Sequence, residues 1–487
     1  MTSVGLTSTI PLPHRELLDA CRRVVGNSNV LTDQPSTATY TTDWTGKYRG
    51  DALAVVRPAA AEEVAQIVTL CAQQGIAIVP QSGNTGICGG SVPIDSRPSI
   101  ILSLSRMNRV RAIDRDARTA TVDAGVVLEA LQNAVEEHDL IFPLMFGARG
   151  SAMIGGNLST NAGGSNVVRY GNTRDLCLGI EAVLADGSIL NGLTGLRKDN
   201  TGYDLKNLLI GAEGTLGIIT GAVVKLYPQP KVRATAFLSV ASLSAALEIL
   251  NIVQDRLGNT VEAFEYVPQP VVEVILRHFP QIRAPLSEPA NVGILLEVAS
   301  SRTDDAAEAS DGGKALQEGL IMALADLMES GLVLDAMFAT SEGQRNDLWK
   351  LRESVLESIN ADGPAYHLDV ALPLSRVADF VRIMDEKATE LGFRPLTIGH
   401  LGDGNLHYAL AAADPAKWDG LPLEAMKEFA FDLLAELKGS FSAEHGIGQS
   451  KAELLRARKE PSQLAMMRAI KQALDPQNIM NPGKMLV

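Results

Sequence analysis

His400 and His407 stand seven positions apart in TIGHLGDGNLHYALAAADP (397–415), around a Gly-Asp-Gly triplet, in a chain of 487 residues with only seven histidines. A helix would also put positions i and i+7 on one face, but Gly399, Gly402 and Gly404 make a helix costly here. A hairpin is the better reading: a strand to His400, a turn at 402–404 and a strand over 405–410, with the imidazoles converging across the turn. Two imidazoles leave a metal short of ligands. Glu444, beside His445 in the glycine-bounded stretch SAEHGIG (442–448), offers a third. Two histidines and one carboxylate with an open position suit Zn2+, with Mn2+ or Fe2+ as competitors, because imidazole and carboxylate discriminate poorly among them.

A second kind of chemistry is written in glycine. PQSGNTGICGGSVP (80–93) leaves an apolar strand and sets Gly83, Gly86, Gly89 and Gly90 among Ser82, Asn84, Thr85 and Ser91. Such a segment can turn several backbone N–H groups toward one anion, as a nest around a diphosphate, or it can be a long surface loop. Two more stretches of the same character follow, GARGSAMIGGNLSTNAGGSNVVRYGNTRD (147–175) and DNTGYDLKNLLIGAEGTLGIIT (199–220). Three in one block exceed what loops need and fit a long slot for a dinucleotide. No G-x-G-x-x-G opens a helix after a strand and no G-x-x-x-x-G-K-[ST] is present, which disfavours a nicotinamide or P-loop enzyme.

The elements that must position these groups follow from periodicity. A short strand near 53–57, a helix over 61–74 with Val64, Ile67, Val68 and Cys71 on one face, and a strand over 76–79 form a β-α-β unit. Strands are expected at 99–104, 120–125 and 179–190, the last with a hairpin turn at 186–187. After YPQP (227–230) helices over 242–257, 314–330 and 348–360 alternate with strands over 292–298 and 366–373. The expected organisation is therefore α+β: an N-terminal helical segment (1–50), a glycine-rich domain (51–230), a second α+β domain (231–430) and a C-terminal helical segment (431–487).

A net charge of −14 argues against a nucleic-acid polyanion as the main partner. No apolar run reaches the ~18 residues of a membrane helix, and the N-terminus lacks the basic start and apolar run of a secretory signal. Cys21, Cys71, Cys88 and Cys177 show no framework spacing and read as small core residues, so a reducing, cytoplasmic location is expected.

The stretch 54–226, through GGNLSTNAGG and RKDNTGYDLKNLLIGAEGTLGIIT, resembles the FAD-binding domain of the vanillyl-alcohol oxidase and p-cresol methylhydroxylase superfamily. With GHLGDGNLH, SAEHGIG and the terminal NPGK, the whole chain resembles its FAD-linked D-2-hydroxyacid dehydrogenase branch, nearest to the D-2-hydroxyglutarate enzymes. The resemblance implies a two-subdomain FAD-binding domain of the p-cresol methylhydroxylase type and a substrate-binding cap. Pro80 to Gly86 and Gly89 to Ser91 would wrap the FAD diphosphate. Gly150, Ser151, Gly155, Gly156, Asn157, Thr160 and Asn161 would lie along the ribityl and isoalloxazine. Glu213, Gly217 and Ile219 would hold the adenine half, and Asn481 would return to the flavin. His400, His407 and Glu444 would bind the divalent metal, His445 would be the base and Arg352 would meet the substrate's 1-carboxylate. With Cys88 the one reactive side chain in the 80–91 loop and no histidine there, the FAD is expected to be non-covalent.

The implied reaction is oxidation of a D-2-hydroxyacid to the 2-oxo acid. The flavin takes hydride from a carbon only as the neighbouring hydroxyl loses its proton, which is the work of a cation and a neutral histidine. The D-2-hydroxyglutarate enzymes carry Thr, Lys and Asn where this chain has Leu356, His367 and Ala409, which shifts the expected substrate toward a lactate-like or alkyl tail without excluding hydroxyglutarate. With no iron–sulfur or haem motif, electrons must leave to a quinone, an electron-transfer flavoprotein, a cytochrome or oxygen. A homodimer is the default assembly. Two other readings stay open: a zinc hydrolase using the same ligands, and a flavin subunit of a glycolate-oxidase-like assembly.

Overall fold

The computed structural model describes residues 12–308 and 313–486. The first eleven residues, where no secretory signal was read and where the expected 1–50 segment begins, lie outside the described residues. Helix Leu12–Val25 follows, with Leu17, Leu18 and Cys21 packed into the first core.

That core covers a four-stranded sheet ordered Val30–Leu31, Val55–Val56, Ser99–Ser103, Ala77–Gln81. The expected β-α-β unit is present. Helix Ala61–Gln74 buries Val64, Ile67, Val68 and Cys71 and stops at Gly75, whose φ of 65° is left-handed. Strand Ser99–Ser103 slots between the unit's two strands and runs parallel to both. The neighbouring sheet is antiparallel, ordered Val110–Asp114, Thr119–Asp123, Ile218–Lys225, Cys177–Val183, Ile189–Gly192. All four cysteines are free and buried.

The C-terminal segment comes back to the first sheet. Ile78 N–H donates to Ile479 O and Asn481 N–H to Ile78 O, both at 2.8 Å, on the open edge of Ala77–Gln81. Ile479 and Met480 are fully buried in the same core.

A third sheet of seven antiparallel strands holds the histidine hairpin. Its order is Val333–Phe338, Val232–Val240, Val292–Ser300, Val261–Tyr266, Phe393–His400, Asn405–Ala412, Ala365–Ala371. Successive side chains face opposite sides of a strand. On one side Leu406, Tyr408 and Leu410 join Phe264, Leu368, Val370, Phe380 and Met384. On the other, Leu396, Ile398, Ala409 and Ala411 pack against Leu348, Leu351, Val355 and Ile359.

Those last four belong not to the single helix expected over 348–360 but to two, Glu342–Glu353 and Val355–Asp362, broken at Ser354. The Ser354 hydroxyl donates to Lys350 O and the Ser358 hydroxyl to Ser354 O, each at 2.7 Å. Serine hydroxyls here compete with backbone amides for helix carbonyls, which bends or breaks a helix.

Candidate functional site

Along the face covered by that helix pair, one strand reads Leu396, Ile398, His400 and its partner reads Ala411, Ala409, His407, so both histidines stand where an apolar row turns polar. His407 lies opposite Ile398 and His400 opposite Asn405, which makes the histidines diagonal neighbours on one face. Their ring centroids are 5.4 Å apart. The flanking strands extend the row, with Glu265 opposite His400 and Asp369 opposite His407. Four adjacent strands thus contribute polar side chains to one row.

The segment after Gly439 is laid over this row. Ser440 exchanges both backbone hydrogen bonds with Ala371, and the N–H groups of Ala443, Glu444 and His445 converge on Asp369 Oδ2 at 3.1, 3.1 and 3.0 Å. This places Glu444 Oε1 3.5 Å from His407 Nε2 and 3.7 Å from His445 Nε2. The His445 ring stacks on that of His407 at 5.6 Å.

One atom from each of His400, His407 and Glu444 lies within 4.8 Å of the others, and Asp369, His407 and His445 form a second such group. The first is the better donor set for a divalent ion. Asp369 has its oxygens taken by the three amides and by Asn405 Nδ2 at 3.0 Å. In the first set each imidazole is also backed by a buried acid: His400 Nδ1 meets Glu265 Oε1 at 2.8 Å, and His407 Nδ1 faces Asp369 Oδ1 at 3.9 Å. A carboxylate behind an imidazole fixes the tautomer that leaves the other nitrogen for a metal.

The charges around the two histidines set them apart, and an ion would have to displace the His400 proton. Burial opposes a charge on Glu265, but His400 and Arg352 override it and hold its pKa below the ordinary range. Burial likewise opposes the His400 imidazolium, and Glu265 overrides this, carrying the pKa up to about 9. His407 is pressed well below its usual value by burial and then by the His400 charge, so it is neutral and its lone pair is free. Asp369 stays ionised despite burial because His445, His407 and Lys451 surround it.

Arg352, in the last turn of helix Glu342–Glu353, donates from Nε to Glu265 Oε2 at 2.8 Å. Its Nη1 and Nη2 have no protein partner among the described residues. They form a planar fork of the kind that grips a carboxylate.

The glycine segments meet beside the 442–448 segment laid over this row. A Cβ on Gly83 would lie 2.2 Å from Ser151 O, and one on Gly155 would lie 2.7 Å from the Ala124 Cβ, so only glycine lets these loops close. Gly156 faces Ser82, Gly90 faces Glu213, and Gly163 lies against the Glu444 carboxylate, which ties the loops to the histidine hairpin. From Ser82 to Ser91, no N–H is paired with a protein acceptor among the described residues. Among the buried polar atoms without a partner are Asn157 Nδ2 on the second glycine segment and Asn481 Oδ1 and Lys484 Nζ on the C-terminal segment. Unpaired amides and orphaned buried groups of this kind are the donors and acceptors a dinucleotide would satisfy.

Several side chains of the expected cofactor segments also make contacts within the protein. The Glu213 carboxylate accepts from the N–H groups of Ile447 and Gly448, both at 2.7 Å, and so closes the 446–448 loop. The Ile219 side chain is in the core beneath the five-stranded sheet, and Gly217 packs against Val183 O. The Thr160 hydroxyl donates to Gly156 O, and Asn161 Oδ1 accepts from Arg174 N–H. Asn481 Nδ2 bridges Gly90 O and Glu213 O at 2.9 and 2.8 Å, joining two glycine segments.

Glu265 and Asp369 were missed from sequence. The available signal was an acid inside an otherwise apolar strand, as in VEAFEY (261–266) and YHLDVALP (366–373).

Comparison with known proteins decides the family. Residues 229–485 match the model for the C-terminal domain of FAD linked oxidases, and residues 52–192 match an FAD binding domain. The mitochondrial D-2-hydroxyglutarate dehydrogenase of Danio rerio is 39% identical over 456 residues, 94% of this chain and 82% of the relative. The D-2-hydroxyglutarate dehydrogenase of Xanthomonas citri pv. viticola is 34% identical over 92% of each chain. The chain belongs to the FAD-linked oxidase family, with the D-2-hydroxyglutarate dehydrogenases. As an FAD-linked oxidase it is an oxidoreductase of α+β fold with a cofactor domain of the p-cresol methylhydroxylase type. Solved p-cresol methylhydroxylase with substrate bound superposes at a TM-score of 0.73 with 17% identity, covering 98% of both chains. The structure of 4-ethylphenol oxidase from Gulosibacter chungangensis does so at 0.70 with 19% identity, covering 99% of this chain and 98% of that one. Among the described residues no helix is long and apolar enough to cross a membrane.

Proposed function

We propose that this FAD-linked oxidase converts a D-2-hydroxyacid to its 2-oxo acid, with residues 51–230 holding FAD, 231–430 forming the cap and 431–487 closing the site. The convergence of His400, His407 and Glu444 beside the glycine segments carries this reading. FAD, when bound, supplies the acceptor for the two electrons of the C–H bond. A divalent ion held by His400, His407 and Glu444, Zn2+ first and Mn2+ or Fe2+ as competitors, supplies Lewis acidity toward the substrate hydroxyl. His445, stacked on His407 and oriented by Asp369, takes the hydroxyl proton. Arg352 grips the 1-carboxylate through Nη1 and Nη2. Electrons then pass to an external acceptor.

Anaerobic stopped-flow with D- and L-2-hydroxyacids, before and after chelation, tests this. The ~450 nm flavin band should bleach with one enantiomer only, lose the response on chelation and regain it with Zn2+ or Mn2+. Bleaching unaffected by chelation rules out the metal role. Bleaching by no hydroxyacid returns the chain to an accessory flavin subunit.

Substrate choice follows from three positions. Leu356 is half exposed on the second helix of the broken pair, Ala409 is buried in the apolar cluster, and neither can bind an anion. The His367 pKa is pressed below its usual value by desolvation and by the Lys47 charge, which disfavours a cation there. Lys47 is itself exposed, and an exposed ammonium attracts a second carboxylate only weakly through solvent. The preference for D-2-hydroxyglutarate over D-lactate or D-2-hydroxybutyrate in kcat/KM should therefore stay within about tenfold, as expected of one screened ion pair. A ratio of several orders of magnitude would place a fixed cation in the pocket.

The cofactor is expected to be free of covalent attachment. Cys88 is buried with its Sγ toward Gly446 O at 3.6 Å, and its thiol is pushed up in pKa by burial, which makes it a poor nucleophile. Acid precipitation should leave all the yellow colour in the supernatant, and colour retained by the pellet contradicts this.

A further inference from the structure

We propose that Glu265 is a positioning residue that links the candidate metal ligand His400 to the candidate substrate-binding Arg352, so that one buried carboxylate sets both. The inference rests on the functional reading above and adds to it a residue that neither the sequence motifs nor the ligand set contains.

Glu265 lies in strand Val261–Tyr266 with no solvent exposure. Its two oxygens are divided between partners: Oε1 meets His400 Nδ1 and Oε2 accepts from Arg352 Nε, both at 2.8 Å. No other hydrogen bond reaches this carboxylate among the described residues. His400 comes from a neighbouring strand 135 positions away and Arg352 from a helix 87 positions away. Among the described residues no other hydrogen bond fixes the rotation of the His400 ring or the Arg352 fork.

The consequence for each partner differs. With Nδ1 held by Oε1, Nε2 is the His400 nitrogen left for an ion, which would take the place of its proton, in the group formed with His407 and Glu444. With Nε held by Oε2, the Arg352 fork keeps both Nη groups for a carboxylate and loses the freedom of its long stem. The distance between the metal position and the carboxylate grip is then a property of one side chain. A substrate that uses both through its hydroxyl and 1-carboxylate meets a spacing set before it arrives.

The bland reading is a buried ion pair that only stabilises the cap. The two differ in Glu265→Gln, which keeps the volume but presents one acceptor and one donor where two acceptors are needed, so one partner is left unsatisfied. The variant is purified with its FAD, and Zn2+ affinity is measured by chelator competition, a readout independent of turnover. Flavin reduction is then followed at saturating Zn2+ across D-2-hydroxyacid concentrations. The Zn2+ Kd should weaken about 10–100-fold, and the hydroxyacid Kd should stay raised after the metal is saturated. A wild-type Zn2+ Kd, or a substrate defect that vanishes at saturating Zn2+, overturns the link.

Arg352→Ala covers the case in which Glu265→Gln does not fold. Losing the arginine frees Glu265 to rotate off Nδ1, so Zn2+ should bind more weakly although Arg352 is no ligand. An unchanged Zn2+ Kd in Arg352→Ala overturns the proposal. The underlying function fails separately: there the wild-type protein is not reduced by any hydroxyacid, whatever the variants do to Zn2+ binding.

Discussion

Alanine at position 400 should slow flavin reduction by saturating hydroxyacid about 10³-fold. His400 would hold the cation that offsets charge building on the substrate oxygen, a contribution of about 4 kcal/mol, which is about 10³ in rate. The effect should be chemical and not a loss of fold, because His400 stands at the end of its strand, beyond the apolar run of Leu396 and Ile398 that anchors it. FAD content should therefore be unchanged while bound Zn2+ falls toward zero in elemental analysis. Removing one side of a buried pair leaves Glu265 with Arg352 alone, which adds a stability loss of up to about 3 kcal/mol. A variant that keeps the wild-type reduction rate would remove the ion from the reaction.

Asparagine at position 445 should cost about 10²–10⁴-fold in the same step, the usual contribution of a positioned base. Here the metal should remain, since His400, His407 and Glu444 are untouched, and so should substrate affinity. The contrast between the two variants is the informative part: one loses ion and rate together, the other rate alone. Loss of Zn2+ in His445→Asn would instead promote the alternative group of Asp369, His407 and His445. An unchanged rate with ion retained would send the search for the base elsewhere.

What could be read in the sequence was local. Gly-Asp-Gly between two histidines specifies a tight turn and hence a shared face, and the hairpin Phe393–His400 and Asn405–Ala412 has that form. Glycine density located the segments that approach one another, because close approach is what glycine permits. Glu265 and Asp369 were invisible because their roles depend on strand order: Glu265 meets His400 only because strand Val261–Tyr266 lies next to Phe393–His400. Periodicity tells which face a side chain takes and says nothing about its neighbour in the sheet. The break at Ser354 escaped for a milder reason, as serine is near neutral in a helix and only its bond to Lys350 O reveals the competition. Glu213 reads as part of a cofactor segment, yet its carboxylate is committed to two amides more than 230 positions away.

Ile479 and Asn481 hydrogen-bond to the edge of a strand laid down some four hundred positions earlier, and Ile479 and Met480 fill the core beneath it. During synthesis that edge and that core stay incomplete while the whole cap is being made. The cofactor unit must therefore wait, partly assembled, with the edge of Ala77–Gln81 open and apolar surface in need of shelter. That edge and that core are completed only once residues 479–481 have been made.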